Sequence, residues 1–312
     1  MNPPASRPLR GIALKVCSVL IFIIMASLIK AASDRVPPGE AVFFRSFFAL
    51  PIILGWLAMR GELRTGLRVE SMLGHVWRGV AGTMAMGFGF SALAYLPLPE
   101  VTALNYAAPI LTVIFASMFL GEEVRAFRLG AVALGMAGVM IVLWPRLTIL
   151  NGEGADEAAA LGAMLALTGA VCSALAGVFI RKMVATEKTS AIVFWFTVTS
   201  TVLSLTTLPF GWVVPTGPEA GCLVLAGLLG GTAQIFMTQA FREAHASLIA
   251  PFDYASMIFA LAIGYVFFGE VPTLVMLVGA AVIVTAGCLI IWRERRLGLE
   301  RNRQRKAMSP QV

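Results

Sequence analysis

Two charged residues stand inside otherwise apolar stretches and raise the first chemical question. Arg45 lies in "PPGEAVFFRSFFALP", residues 37–51, and Asp253 in "SLIAPFDYASMIFALAIGYVFFGE", residues 247–270. A guanidinium is a planar fork of donors suited to a carboxylate, carbonyl or phosphate. In hydrocarbon it costs roughly 2.5–3.5 kcal/mol on insertion scales, so it must face protein, a water-filled cavity or an interface it can snorkel to. Arg45 is about five residues into its span, where both the interfacial and the substrate-binding readings stand. A carboxylate at the depth of Asp253 pairs with a cation, takes up a proton or binds substrate. It can also cap backbone groups freed by Pro251, because proline removes a helix donor.

Neutral polar and aromatic residues complete the set. Asn105, Tyr106 and Tyr254 are companions to Asp253, and Gln234 is a further amide that could reach a cavity; Gln239, five residues on, does not share its face. Trp77 and Trp195, with Phe44 and Phe236, could stack a planar ring, whereas Trp144, Trp212 and Trp292 fit interfacial belts near span ends. Arg45, Asn105, Tyr106, Asp253, Tyr254, Gln234, Trp77 and Trp195 are thus the candidate substrate contacts. Nothing in the pattern is catalytic. There is no HExxH, no GxSxG and no Walker-type GxxxxGK[ST], and the two histidines, His75 and His245, lie near span edges. Cys17, Cys172, Cys222 and Cys288 fall in or beside apolar helices without metal spacing and read as small packing residues. No metal or cofactor is expected.

The elements that must hold these residues follow from composition. Of 312 residues 58% are hydrophobic and 13% charged, against about 25% charged in soluble domains, and the mean hydropathy is +0.85. Apolar runs of ~20 residues recur, the length a helix needs to cross the hydrocarbon core. The expectation is an all-α membrane protein with ten helices, near 11–32, 40–59, 74–95, 99–119, 127–145, 160–182, 190–209, 219–241, 246–268 and 273–292. The first follows Arg7 and Arg10 and is read as a retained helix rather than a leader. With the N-terminus in the cytoplasm, 20 of the 24 lysines and arginines fall on that side, Lys15, Arg78 and the "RERRLGLERNRQRK" tail included. Both termini are then cytoplasmic. The tail acts as an anchor at anionic lipid, and the net charge of +7 needs no nucleic acid partner.

The chain also repeats itself. "PEVTALNYAAPILTVIFASMFLGE", residues 99–122, matches residues 247–270 at an offset of 148: Asn105 falls on Asp253, Tyr106 on Tyr254, and Gly121-Glu122 on Gly269-Glu270. Gly82 falls on Gly230, Phe88 on Phe236 and Trp144 on Trp292 in the same register. In the second helix of each half, at a different offset, Arg45 falls on Phe196, so the repeat does not itself demand the charge. Five spans per half is an odd number, which predicts an inverted-topology repeat, the architecture of many secondary transporters.

Ten helices as five plus five, the Gly-Glu after helices 4 and 9, Pro109 and Pro251, and the glycine-rich helices 5 and 10 resemble the EamA-type drug/metabolite transporter superfamily. The likeness covers nearly the whole chain. It implies residues 1–150 as a first five-helix repeat, 151–295 as a second, inverted one, and 296–312 as a basic cytoplasmic tail. It also implies a carrier of a small organic metabolite in the bilayer of a bacterial inner membrane. Within the superfamily, "LRGIALKVCSVLIFIIMASLIK", "PPGEAVFFRSFFALP" and "LPLPEVTALNYAAPILTVIF" look like the riboflavin importers. Carriers of S-adenosylmethionine or of amino-acid-like metabolites are the alternative, and a membrane-embedded enzyme is the rival class.

Overall fold

The computed structural model describes residues 8–63, 65–120, 126–147, 157–183, 186–243 and 250–308, and all regular structure among them is helical. The elements are α1 (Pro8–Ala32), α2 (Pro38–Phe47), α3 (Ala49–Met59), α4 (Met72–Tyr95), α5 (Leu98–Asn105), α6 (Ala107–Leu120), α7 (Ala126–Leu147), α8 (Glu157–Met183), α9 (Thr189–Leu205), α10 (Gly217–Glu243), α11 (Ala255–Phe268) and α12 (Leu274–Met308). Short 3-10 turns occupy Leu208–Phe210 and Ala250–Tyr254.

Proline sets the breaks that turn ten expected spans into twelve helices. A proline at position i has no N–H for the carbonyl at i−4. Pro51 leaves the Phe47 carbonyl without a donor, and α2 ends at Phe47; Pro109 does the same to Asn105, and α5 ends there. The last two residues before α11, Asp253 and Tyr254, sit in the 3-10 turn that contains Pro251. α2–α3, α5–α6 and the turn with α11 are therefore interrupted passages, close to the expected spans 2, 4 and 9. The last helix departs from expectation by running past residue 292 to Met308. Its Arg, Glu, Leu, Gln, Lys and Ala residues are good helix formers, with no proline before Pro310 to stop them.

Among the described residues four stretches are long and apolar enough to cross a bilayer: Leu9–Ala32, Pro38–Met59, Glu157–Ile180 and Gly217–Ala240. Ala133–Val142, Ser190–Leu205, Phe252–Phe268 and Leu274–Leu289 are shorter apolar helices. α4 has the length, but Arg78 lowers its hydropathy.

The helices pack in a pattern that survives exchange of the two halves. α1 lies along α10, and α4 lies along α8. These are the first and eighth passages and the third and sixth, which interconvert on exchange. α7 with α12, α2 with α9, and α5 with α11 each map onto themselves. Arg10 meets Glu243 and Arg35 meets Glu219, so α1 and α10 are antiparallel. The buried faces are rich in alanine, with Ala166, Ala170, Ala174, Ala226 and Ala233 fully enclosed. Small residues let helix backbones approach in a setting where lipid and protein are equally apolar.

Candidate functional site

The expected tyrosines meet. Tyr106 closes the break between α5 and α6, and Tyr254 ends the 3-10 turn before α11. Their rings lie edge to face with centroids 5.1 Å apart, a geometry aromatic quadrupoles favour. The Tyr106 hydroxyl donates to the Tyr254 carbonyl at 3.3 Å and is hydrogen-bonded to Ser256 Oγ at 2.5 Å. Asn105, beside them, is exposed.

Asp253 takes the cation-paired option. Its carboxylate lies 2.6 Å from Lys15 Nζ; the lysine side chain is 3% exposed and the aspartate 48%. Lys15, counted from sequence as one more cytoplasmic charge, is thus enclosed in α1. Fifteen residues further, about 22 Å along the helix, Lys30 pairs with Glu270 at 3.1 Å. Lys30 also donates to the Leu93 and Leu96 carbonyls, and Glu270 accepts the Leu98 N–H at 3.0 Å. α1 therefore holds both ends of the ninth passage by charge. Glu270 thus pairs with a lysine and caps a helix start; its repeat mate Glu122 lies outside the described residues.

Arg45 does not snorkel. It is 3% exposed, and its guanidinium lies 5.6 Å from the centre of the Phe196 ring on α9. A second guanidinium joins it from α4. Arg78, counted from sequence as a cytoplasmic-side charge, is 6% exposed and only 3.7 Å from the same ring centre. Among the described residues neither arginine has an ion pair or hydrogen bond. Six buried side-chain nitrogens or oxygens there lack a hydrogen-bond partner, and five belong to Arg45, Ser46, His75 and Arg78. Carboxylates on the neighbouring elements are committed elsewhere. Glu187 accepts the Glu70 and Ser71 N–H groups and lies 3.4 Å from His75, and Glu40 accepts the Val213 N–H at 3.1 Å.

The register-matched glycines explain how two long cations fit. A Cβ on Gly82 would strike Arg78 Nη1 and sit 2.7 Å from Phe196, and one on Gly230 would lie 3.2 Å from Arg45 Nε. Arg78 stands inside an apolar span, four residues before Gly82, and that placement is the signal the sequence carries for this cluster.

The remaining candidates are dispersed. Gln234 is buried on α10. Trp195 is half-buried and donates its indole N–H to the Leu67 carbonyl at 3.1 Å, fastening the connection before α4. Trp77 is 54% exposed and joins none of the others. An open groove of about 310 Å³ between α3 and α10, lined by Pro51, Trp56, Ile235, Phe236 and neighbours, carries no titratable side chain.

A helical bundle of apolar spans enclosing such charges is a multi-pass membrane protein. The chain belongs to the EamA-like transporter family, whose model matches residues 9–144 and again 160–293. It is 29% identical over 287 residues to the pseudopaline exporter CntI of Pseudomonas aeruginosa, covering 92% of this chain and 97% of that one. It is 30% identical to a riboflavin transporter of Rhizobium johnstonii over 83% of each chain. It is 25% identical to an S-adenosylmethionine uptake transporter of Rickettsia felis over 95% of this chain and 97% of that one. A solved crystal structure matches with a TM-score of 0.63 at 21% identity, over 89% of this chain and 96% of the other, a likeness of fold alone. These relatives are named as transporters, and this chain is a metabolite transporter rather than an enzyme.

Proposed function

We propose that the protein is a secondary transporter that moves a small organic metabolite across a bacterial inner membrane by alternating access between two inverted five-helix halves. The observation that carries this reading is the helix pairing that persists when the halves are exchanged, with Tyr106 and Tyr254 in contact where the fourth and ninth passages cross. The ion pairs at the two ends of α1 fit as gates, Lys15–Asp253 at the cytoplasmic end and Lys30–Glu270 at the outer end. Arg45, Asn105, Tyr106, Tyr254 and Gln234 are the substrate contacts this reading favours; Asp253 serves as a gate that can exchange its lysine partner for substrate or a proton. Trp77 and Trp195 stay in the set as residues to test.

Riboflavin uptake is the substrate reading supported by the sequence likeness and by the Rhizobium relative. Uptake of S-adenosylmethionine is its rival, supported by the Rickettsia relatives. Proteoliposomes containing the purified protein and no nucleotide should accumulate one labelled metabolite of a panel by counterflow. Absence of flux for every solute would remove the transporter reading, and flux of S-adenosylmethionine without riboflavin would replace the substrate. For orientation, a single cysteine at Thr216 should react with an impermeant reagent from outside, and one at Thr65 only after permeabilisation. The reverse pattern would invert the topology.

A further inference from the structure

We infer that Arg45, Arg78 and Phe196 form a binding site for an oxyanion, a carboxylate or phosphate carried by the transported solute. The inference rests on the transporter reading but departs from its riboflavin substrate, which carries no carboxylate or phosphate. The two guanidinium carbons lie 5.6 and 3.7 Å from one ring centre. They are therefore no further apart than the sum of those distances, about 9 Å, close enough for one small anion to engage both. Arg45 is seven residues from the start of α2 and Arg78 six from the start of α4, each about 10 Å along its helix at 1.5 Å per residue. The site is inside the bundle, away from the helix ends where lipid phosphates lie.

Its chemistry is one-sided. Arginine keeps its charge in proteins, and buried charges are ordinarily paired. Here Phe196 offers only the negative face of its ring, Arg45 and Arg78 repel one another, and Glu40 and Glu187 are engaged elsewhere. Among the described residues Arg78 Nε and Nη1 and Arg45 Nε are enclosed with no hydrogen-bond partner, although buried polar groups in native proteins overwhelmingly have one. An oxyanion supplies the missing charge and acceptors together, and guanidinium forks match carboxylate and phosphate geometry. Phe196 lies against both guanidiniums, and Gly82 and Gly230 leave the space they occupy. Neither a neutral flavin ring nor a sulfonium cation meets this need by itself.

The probes are succinate and inorganic phosphate, with riboflavin as the neutral arm and S-adenosylmethionine as a net cation that carries one carboxylate of its own, added to the purified full chain in lipid nanodiscs at constant ionic strength. Succinate or phosphate should raise the melting temperature relative to chloride. Which of the two acts distinguishes carboxylate from phosphate recognition. Arg45→Gln and Arg78→Gln should each weaken that binding about tenfold or more, and Arg78→Lys, which keeps the charge but loses the fork, should weaken it less. A readout on the unmutated protein covers variants that fail to fold: either anion should protect Arg45 and Arg78 from phenylglyoxal, scored by peptide mass mapping. No protection and no thermal shift would overturn the inference, as would binding undiminished in both glutamine variants. Anion binding without flux leaves the site standing and removes the transporter reading. Flux of riboflavin or S-adenosylmethionine with no anion binding, unchanged by Arg78→Gln, keeps the transporter reading and overturns the site.

Discussion

Along α1 each enclosed ammonium faces a carboxylate, Lys15 on Asp253 at 2.6 Å and Lys30 on Glu270 at 3.1 Å. Between α2, α4 and α9, two guanidiniums share one phenyl ring with no acid on either among the described residues. The desolvation of the first group is offset within the protein, at rest. That of the second is offset only when something else arrives. Removing one charge should therefore have opposite effects in the two regions: it strands a partner along α1, and it relieves a repulsion at Phe196.

Four experiments break or sharpen this comparison. The largest effect is expected on transport: Arg78→Gln and Arg45→Gln should raise the apparent Michaelis constant roughly 10- to 100-fold, the value of a charged hydrogen bond, with the maximal rate changed less. Kinetics of uptake of the identified solute would check it, and a fall in maximal rate at constant Michaelis constant would move both residues into the gating machinery.

Next is the lysine–aspartate pair. Asp253→Asn removes the carboxylate that lies 2.6 Å from the enclosed Lys15 ammonium. Breaking a fully buried pair costs about 3–5 kcal/mol; Asp253 is 48% exposed, and water screening reduces the expected loss to roughly 1–3 kcal/mol. Lys15→Met in the same chain should restore most of it. Thermal unfolding of the two single variants and the double variant measures the coupling, and additive losses would mean that the pair contributes nothing.

A smaller effect of opposite sign is expected at Phe196. In ligand-free protein, Arg78→Gln should raise stability by about 1 kcal/mol, because an uncompensated buried charge is lost. Destabilisation of the size expected for Asp253→Asn would show that the arginines are paired after all. Smallest of all, Trp77→Ala should leave uptake within about twofold of wild type, since exposed positions seldom shift energies much. A larger loss would return Trp77, 54% exposed, to the substrate contacts.

Much of the site was legible in part. The sequence register paired Tyr106 with Tyr254, and the rings touch. It also aligned Gly82 with Gly230, which proved to be the two positions that make room for the arginines. Asp253 was legible as a charge needing a reason, but its reason, Lys15, is 238 positions away on another helix. Arg78 was hidden by a rule that works on average: positive charge near a helix end marks the cytoplasmic side. Seven residues into α4, the same charge turns inward.

The amino-acid sequence by itself determined the class of the protein, because runs of apolar residues near the thickness of a bilayer have few other solutions. It determined the helix breaks too, since Pro51 and Pro109 withhold a donor from Phe47 and Asn105 wherever the chain is placed. What only the tertiary structure decided is the rotation of each helix. In water a polar stripe reports which face looks outward, but in lipid both faces are apolar, so the sequence of α4 or α9 carries little record of its orientation. Packing therefore chose that Arg45 and Arg78 should meet at Phe196 while Lys15 and Lys30 met their acids, and those rotations set one pair of cations apart from the other.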